Sequence, residues 1–552
     1  MRPTLLPVLS ALSLLAPFAP IVRAQEPIDE VAVASIRKHG LEQSQVMDLL
    51  SMICDVHGPR LTNSPNMKGA QAWARETLAG WDLANAHLEE WGPFGLGWRQ
   101  ERFAMNVVGQ NPWPVIAHAK AWSPGTGGAK RAQVVYFNPA DGEDLAAWRG
   151  KLKGKIVLIQ EPRATEEAFE PDATRRDAQD LLDLANAPGP SNAQQPGRRG
   201  RDESWRERMR VQQERTNFVY GEAPLAILDR GSKGDYGTIF VSSASVPAPA
   251  DADFGSRPRA WDPQGVKVIP QFTLAVEHYN RLVRLLDKRR TVEMEVDLAV
   301  SFDDSTAMGR NVIAEIPGTD PEIGDQVVML GAHYDSWHAG TGSTDNGAGS
   351  AVMMEAMRIL KAMYAETGIR PRRTIRVALW SGEEQGLLGS RAYVGEHFGT
   401  SEDRGAPPAQ PNAAHRALSA YYNFDNGTGK IRGVYLQGNA GVAPIFRAWL
   451  APFKDLDADT LSLSNTGGTD HQSFDAVNLP GFQFIQDEIA YNARTHHSNM
   501  DLWDHSIGDD LQQAATIIAS FVHHTAQRDE LLPRKPVPAA VAAQPASATG
   551  SR

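Results

Sequence analysis

Side chains that can hold a metal or move a proton recur at the ends of apolar runs in the second half of this chain. The run 327–330 delivers His333 and Asp335, and a glycine-rich loop then presents Asp345. The run 375–380 leads straight into Ser381-Gly382-Glu383-Glu384. Residues 421–424 end in Asp425-Asn426-Gly427, and 481–485 lead through Asp487 to Thr495-His496-His497-Ser498-Asn499-Met500-Asp501. Imidazole nitrogens and carboxylate oxygens are the donors that zinc takes. Two histidines and three carboxylates suit two zinc ions if one carboxylate bridges them, since a shared anion offsets repulsion between the cations. A Glu-Glu pair divides the labour, one carboxylate binding metal while its neighbour takes a proton from water. Metal-assisted hydrolysis is the chemistry this set supports.

Open α/β sheets bind ligands beyond the carboxyl ends of their strands, so strands are expected beneath these residues. They are read at 326–331, 374–380, 420–424, 433–436 and 481–485, with helices at 349–364, 385–397, 442–453 and 508–526. Such alternation implies an α/β fold, a mixed and mainly parallel sheet sandwiched by helices. Residues 28–92 read as helices, with apolar spacing of helical period in 41–54 and 68–83. His57, in a turn-rich stretch, reads as structural. Helix returns over 270–290. Val292, Met294, Val296, Leu298, Val300 and Phe302 then alternate with smaller or polar residues, a strand with one buried face, and 311–316 is a second short strand. Between 123 and 272 the texture is short strands (133–137, 155–160, 223–228, 237–241), a small β-rich module. A charged insert at 164–216, containing Gly197-Arg198-Arg199-Gly200-Arg201, reads as a solvated loop.

A chain of 552 residues exceeds one core. Its 42% hydrophobic and 22% charged residues are ordinary for a globular protein, and a net charge of -11 argues against a nucleic-acid partner. Residues 1–24 have a basic start, an apolar centre and a small-residue cleavage site, and read as a signal peptide for export to the periplasm or beyond. No later segment is apolar and long enough to span a bilayer. The single cysteine, Cys54, excludes an intrachain disulfide and reads as a buried small hydrophobe. The expected organisation is signal peptide 1–24, an N-terminal part of the main domain 25–122, the β-rich module 123–272, the catalytic domain 273–532 and a disordered tail 533–552.

The segments HYDSWHAGTGSTDNGAG, WSGEEQGLLGS, NFDNG, NTGGTDHQSF and THHSNMD together resemble the di-zinc exopeptidase family of bacterial leucyl aminopeptidases, glutamate carboxypeptidase II and transferrin receptor, its carboxypeptidase Q branch above all. The likeness extends to GPRLTNSP near the start, and the β-rich module resembles the protease-associated domain inserted in that family. Position by position, the resemblance implies that His333 and Asp425 bind one zinc, Glu384 and His497 the other, and Asp345 bridges. It makes Glu383 the general base and Asp335 the residue orienting His333. His497 precedes Ser498 as the family's ligand precedes Ser or Thr, which leaves His496 facing substrate. A cis peptide at Asp345-Asn346 and a homodimer are also implied. The implied activity is hydrolysis of short peptides or dipeptides by a metal-bridging hydroxide, in a carboxypeptidase Q-like or aminopeptidase sense. A non-catalytic, transferrin-receptor-like binding protein would lack ligands, and a glutaminyl cyclase-like transferase would hold one zinc. Asp470, His471 and Arg494 lie in loops where they could take a substrate's free amine or carboxylate. His338, where relatives carry an acidic residue, and the long insert leave substrate preference open.

Overall fold

The computed structural model describes residues 26–139, 145–190, 203–252, 254–262 and 265–537; the expected signal peptide and the arginine-rich 197–201 lie outside these. Two eight-stranded mixed sheets organise the chain. In the first, Val327–His333 pairs in parallel with Thr374–Trp380 on one side and Leu418–Asn423 on the other, and Leu418–Asn423 pairs in parallel with Gly481–Gln486. Antiparallel strands flank this centre: Gly309–Ile316 and then Ala84–Trp91 at one edge, Ile431–Tyr435 toward the other. The mixed, mainly parallel sheet expected from the sequence is therefore present.

Successive side chains on a strand face opposite ways. Val328, Leu330 and Ala332 enter one core with the helices Glu30–Arg37, Val46–Ser51, Pro65–Gly80, Ala348–Thr367 and Gly508–Gln527, while Met329 enters the other with Tyr393, Phe398 and Phe474. Ala348–Thr367 is buried along most of its length, through Val352, Met353, Met357, Leu360 and Met363 among others. Each such side chain contributes about 1.5–3 kcal/mol by leaving water, which fixes this helix and the loop ahead of it.

Several boundaries move. Residues 84–91, read as helix, form the strand Ala84–Trp91, because pairing with Gly309–Ile316 outweighs local preference. Residues 271–274, also read as helix, are the strand Gln271–Leu274, and the helix there is Val276–Asp287. The run 237–241 is no strand; Phe240 forms only an isolated bridge with Ser498. The second sheet includes the strands expected near 133, 155 and 223, but it also takes in Gly97–Val108 and Glu293–Asp303, paired along their whole lengths and lying outside 123–272. The charged insert is not simply a solvated loop. It holds the helix Ala178–Asn186 and most of Glu203–Glu222, and its residues 172–176 dock against Asp487 and Ile489 of the C-terminal half. The tail does not begin at 533: Arg534 donates to the carbonyl of His415, and Lys535 pairs with Asp475. Cys54 is fully buried, and His57 packs against Trp73 at 5.7 Å between ring centroids.

Candidate functional site

Strand register assembles the site. His333 pairs with Trp380, so Ser381 to Glu384 emerge beside it, and Gly331 pairs with Asn423, which sets Asp425 level with His333. The loop after His333 returns through Gly342, whose φ is 65° and where a Cβ would stand 2.2 Å from the Ser336 Cβ, so only glycine fits. Arg60, fully buried, braces this loop by donating from its guanidinium to the carbonyls of Tyr334 at 2.7 Å and of Thr341 and Gly342 at 2.8 Å each. Arg60→Ala would strand those carbonyls, and a loss of about 3 kcal/mol is expected. Urea unfolding should show a lowered midpoint at unchanged slope; an unmoved midpoint would mean the brace is redundant.

The donor atoms converge as zinc requires. His333 Nε2 lies 3.2 Å from Asp345 Oδ1 and 3.5 Å from Asp425 Oδ1. His497 Nε2 lies 3.2 Å from Asp345 Oδ2 and 2.9 Å from Glu384 Oε2. Donors around one tetrahedral zinc, bonded at about 2.0–2.2 Å, stand about 3.3–3.6 Å apart. His333 Nε2, Asp345 Oδ2, Glu384 Oε1 and Asp425 Oδ1 are buried without a hydrogen-bond partner among the described residues. Unsatisfied buried polar atoms are costly, and a cation on each side of Asp345 would satisfy them. The residues present fit two such ions.

Charge tells the same story. Burial opposes ionisation of Asp345, yet the His333 and His497 imidazoles beside it, each 3.2 Å away, hold it well below the carboxylate range. Burial pushes Glu384 up to about 7, with Asp345 adding like charge, and raises Glu383 well above its ordinary value. Burial also lifts Asp470 and Asp501 to about 7 each. His497 is carried up to about 11 by Glu384 and Asp345 despite the downward push of burial. So many carboxyl groups in one buried cluster favour a cation there.

The supporting contacts differ in detail from the expectation. His333 Nδ1 faces the backbone carbonyl of Asp335 at 3.0 Å, and the Asp335 carboxylate stands 3.8 Å away. That carboxylate accepts instead from the Thr62 hydroxyl at 2.8 Å and from the amides of Glu383 at 3.2 Å and Glu384 at 3.3 Å, so it sets the Glu-Glu turn as much as the histidine. Asp501 accepts from the amides of Thr344 at 2.6 Å and Asp345 at 3.2 Å and fixes the turn that carries Asp345, whose bond to Asn346 is cis. The His496 ring lies 3.8 Å from that of His497, tilted by 37°, and its Nε2 is 3.7 Å from Asp345 Oδ2, farther than His497. Asp470 and His471 are fully buried behind the wall, and Arg494 pairs with Asp172, so none of them lines the cleft as a free group. His338 is half-buried, its Nε2 2.6 Å from the carbonyl of Ala119.

Above the donors opens a cleft of about 470 Å³, lined by Asp345, Glu383, Glu384, Asp425, His496 and His497 together with Arg391, Thr469, Gln472 and Tyr491. Sequence reasoning missed Arg391, Arg60, Thr62 and Asp501. Arg391 carried a signal in WSGEEQGLLGSR, the cation nearest in sequence after Glu383-Glu384. The bracing roles of Arg60 and Thr62 rest on partners nearly three hundred positions away, which no local pattern reveals.

Residues 311–522 match the family model described as peptidase family M28. The chain is 27% identical to carboxypeptidase Q of Mus musculus over 271 residues, covering 49% of this chain and 53% of that protein. It is 37% identical to leupeptin-inactivating enzyme 1 of Streptomyces exfoliatus over 126 residues, 23% of this chain and 24% of the other. The chain thus spans about half the length of the carboxypeptidase Q relatives it matches. Among solved structures it resembles a peptidase M28 precursor of Shewanella amazonensis, with TM-score 0.61, 22% identity, and 92% of this chain against 98% of that one covered. It also resembles a zinc aminopeptidase of Bacillus subtilis, with TM-score 0.53, 18% identity and coverage of 89% and 97%. These likenesses show the fold.

Proposed function

We propose that this chain, whose residues 311–522 belong to peptidase family M28, is a two-zinc exopeptidase that hydrolyses short peptides. The observation that carries the reading is the double set of donors around Asp345, spaced 2.9–3.5 Å, with buried atoms that have no other partner. His333 and Asp425 would hold one ion, Glu384 and His497 the other, and Asp345 both. When bound, zinc supplies Lewis acidity that polarises a peptide carbonyl and acidifies water. Glu383, in the cleft wall beside Glu384, takes the proton from the attacking water and returns it to the leaving amine. The Asp335 carboxylate holds the backbone of Glu383 so that its side chain keeps that aim. His496 reaches the cleft and is kept neutral by burial, a hydrogen-bond donor for the carbonyl oxygen as it gains charge. A full donor set with a base beside it favours hydrolysis over a binding role alone.

The cleft also speaks to which end of the peptide is held. Among the described lining residues Arg391 is the one Lys or Arg; it is exposed, and its guanidinium has no ion-pair partner among the described residues. A guanidinium in an acidic cleft attracts a carboxylate. This supports peptides with a free C-terminus, the carboxypeptidase or dipeptidase sense of the alternatives. Zinc-loaded protein should therefore cleave free and N-blocked dipeptides and spare C-amidated ones. Arg391→Ala should raise KM for the free substrates by about 10–100-fold, since a hydrogen bond to a charged group contributes about 1.5–3 kcal/mol. Equal cleavage of amidated and free dipeptides would remove the carboxylate assignment.

Around this core we place the finer features. Residues 1–24 support export, and no helix among the described residues is long and apolar enough to cross a membrane. The second sheet would serve as a protease-associated domain, and a homodimer would be seen as a doubled mass in light scattering.

A further inference from the structure

His496 and His497 stand on the segment from Asp487 to Asn499, in which the short π-helix Tyr491–Thr495 is followed directly by the two histidines. His497 has φ 65°, a left-handed backbone that residues other than glycine rarely adopt. A ligand in such a loop must be braced from outside, as metal sites rely on contacts behind the ligands to orient them. One brace comes from the second sheet's side: the amide of Val241 donates to the carbonyl of His497 at 3.1 Å, and Asn499 exchanges hydrogen bonds with Ile239. The other comes from the charged insert.

Residues 172–176 of the insert lie along this loop. Thr174 and Ile489 exchange both backbone hydrogen bonds, at 3.1 and 2.8 Å. Arg175 Nη1 reaches Asp487 Oδ2 and Asp510 Oδ2, each at 2.8 Å, and so ties the start of the loop to the helix Gly508–Gln527. Asp487 is wholly buried and also accepts from the amide of Arg176 at 3.0 Å and from Arg432 at 2.9 Å. Asp172 pairs with Arg494, two positions before His496. Apart from the exposed Asp172–Arg494 pair, these contacts run to the backbone and to buried carboxylates, a pattern that surface charges meeting by chance do not make.

We infer that residues 172–176 act as a clasp that fixes the 487–499 loop and thereby the zinc ion held by His497 and Glu384, with Arg175 as its main positioning residue. The inference rests on the two-zinc reading above. Its reach is selective: the His333–Asp425 side stands on strand ends and does not depend on the clasp.

The test uses the full chain with Arg175→Ala and, separately, Arg175→Ala combined with Thr174→Pro, which deletes the amide donor to Ile489. Two readouts are taken: amide hydrogen exchange over 487–499, and zinc affinity by competition with a chelator. Expected are faster exchange in that segment, one of two zinc ions bound at least about 10-fold more weakly, and the other unchanged. Arg175→Lys should recover part of the affinity, which a merely space-filling role would not predict. A thermal midpoint of the metal-free variants close to wild type would show that the fold survives. Unchanged exchange in the double variant overturns the clasp, as does faster exchange with both zinc affinities intact. A wild-type chain that takes up no zinc overturns the metal reading itself, whatever the exchange shows.

Discussion

Glu383→Gln is expected to retain both zinc ions and to lower kcat by about 10³-fold, within the range of about 10²–10⁴ for losing a general base. In free-energy terms that is about 4 kcal/mol of barrier. Glutamine matches glutamate in shape, so the cleft wall is kept, and Glu383 is not among the donors that converge on Asp345. The amide cannot accept water's proton at neutral pH, so the loss should fall on kcat with KM little changed. Metal content and kcat measured on the same preparation separate this from its neighbour, because Glu384→Gln should lose a zinc ion instead. A Glu383→Gln enzyme with wild-type turnover would show that the base is elsewhere.

The second large effect belongs to Asp345. Its two oxygens face different histidines, Oδ1 toward His333 and Oδ2 toward His497, each at 3.2 Å. Asp345→Ala should therefore weaken both zinc ions together, by at least about 100-fold in chelator competition, whereas His497→Ala should weaken only one. Retention of one tightly bound zinc in Asp345→Ala would mean that the sites are independent and the bridge is absent.

Much of this arrangement was legible in the sequence for a simple reason. A parallel sheet presents its functional side chains where a strand's apolar run stops, and His333, Glu383, Glu384 and Asp425 each follow such a stop directly. Their mutual placement needs only strand order and register. What could not be read depends on partners far along the chain. Ala84–Trp91 is rich in Ala, Leu and Glu, which favour helix, and becomes a strand only because Gly309–Ile316 lies beside it. The charges of the insert looked solvated because the partners of Arg175 are 312 and 335 positions away. Asp335 was legible as a supporting carboxylate, but its grip on the Glu383 and Glu384 amides required knowing that the two strand ends abut. Asp470 and His471 looked like loop residues and prove to be buried, because the short helix His471–Asp475 turns them inward.

The central claim is a pair of metal ions sharing Asp345, and counting zinc tests it most directly. The wild-type chain, reconstituted with zinc and dialysed against metal-free buffer, should carry two zinc ions per chain by elemental analysis. A count of one would point to a single-metal enzyme, and a count of zero would contradict the account altogether.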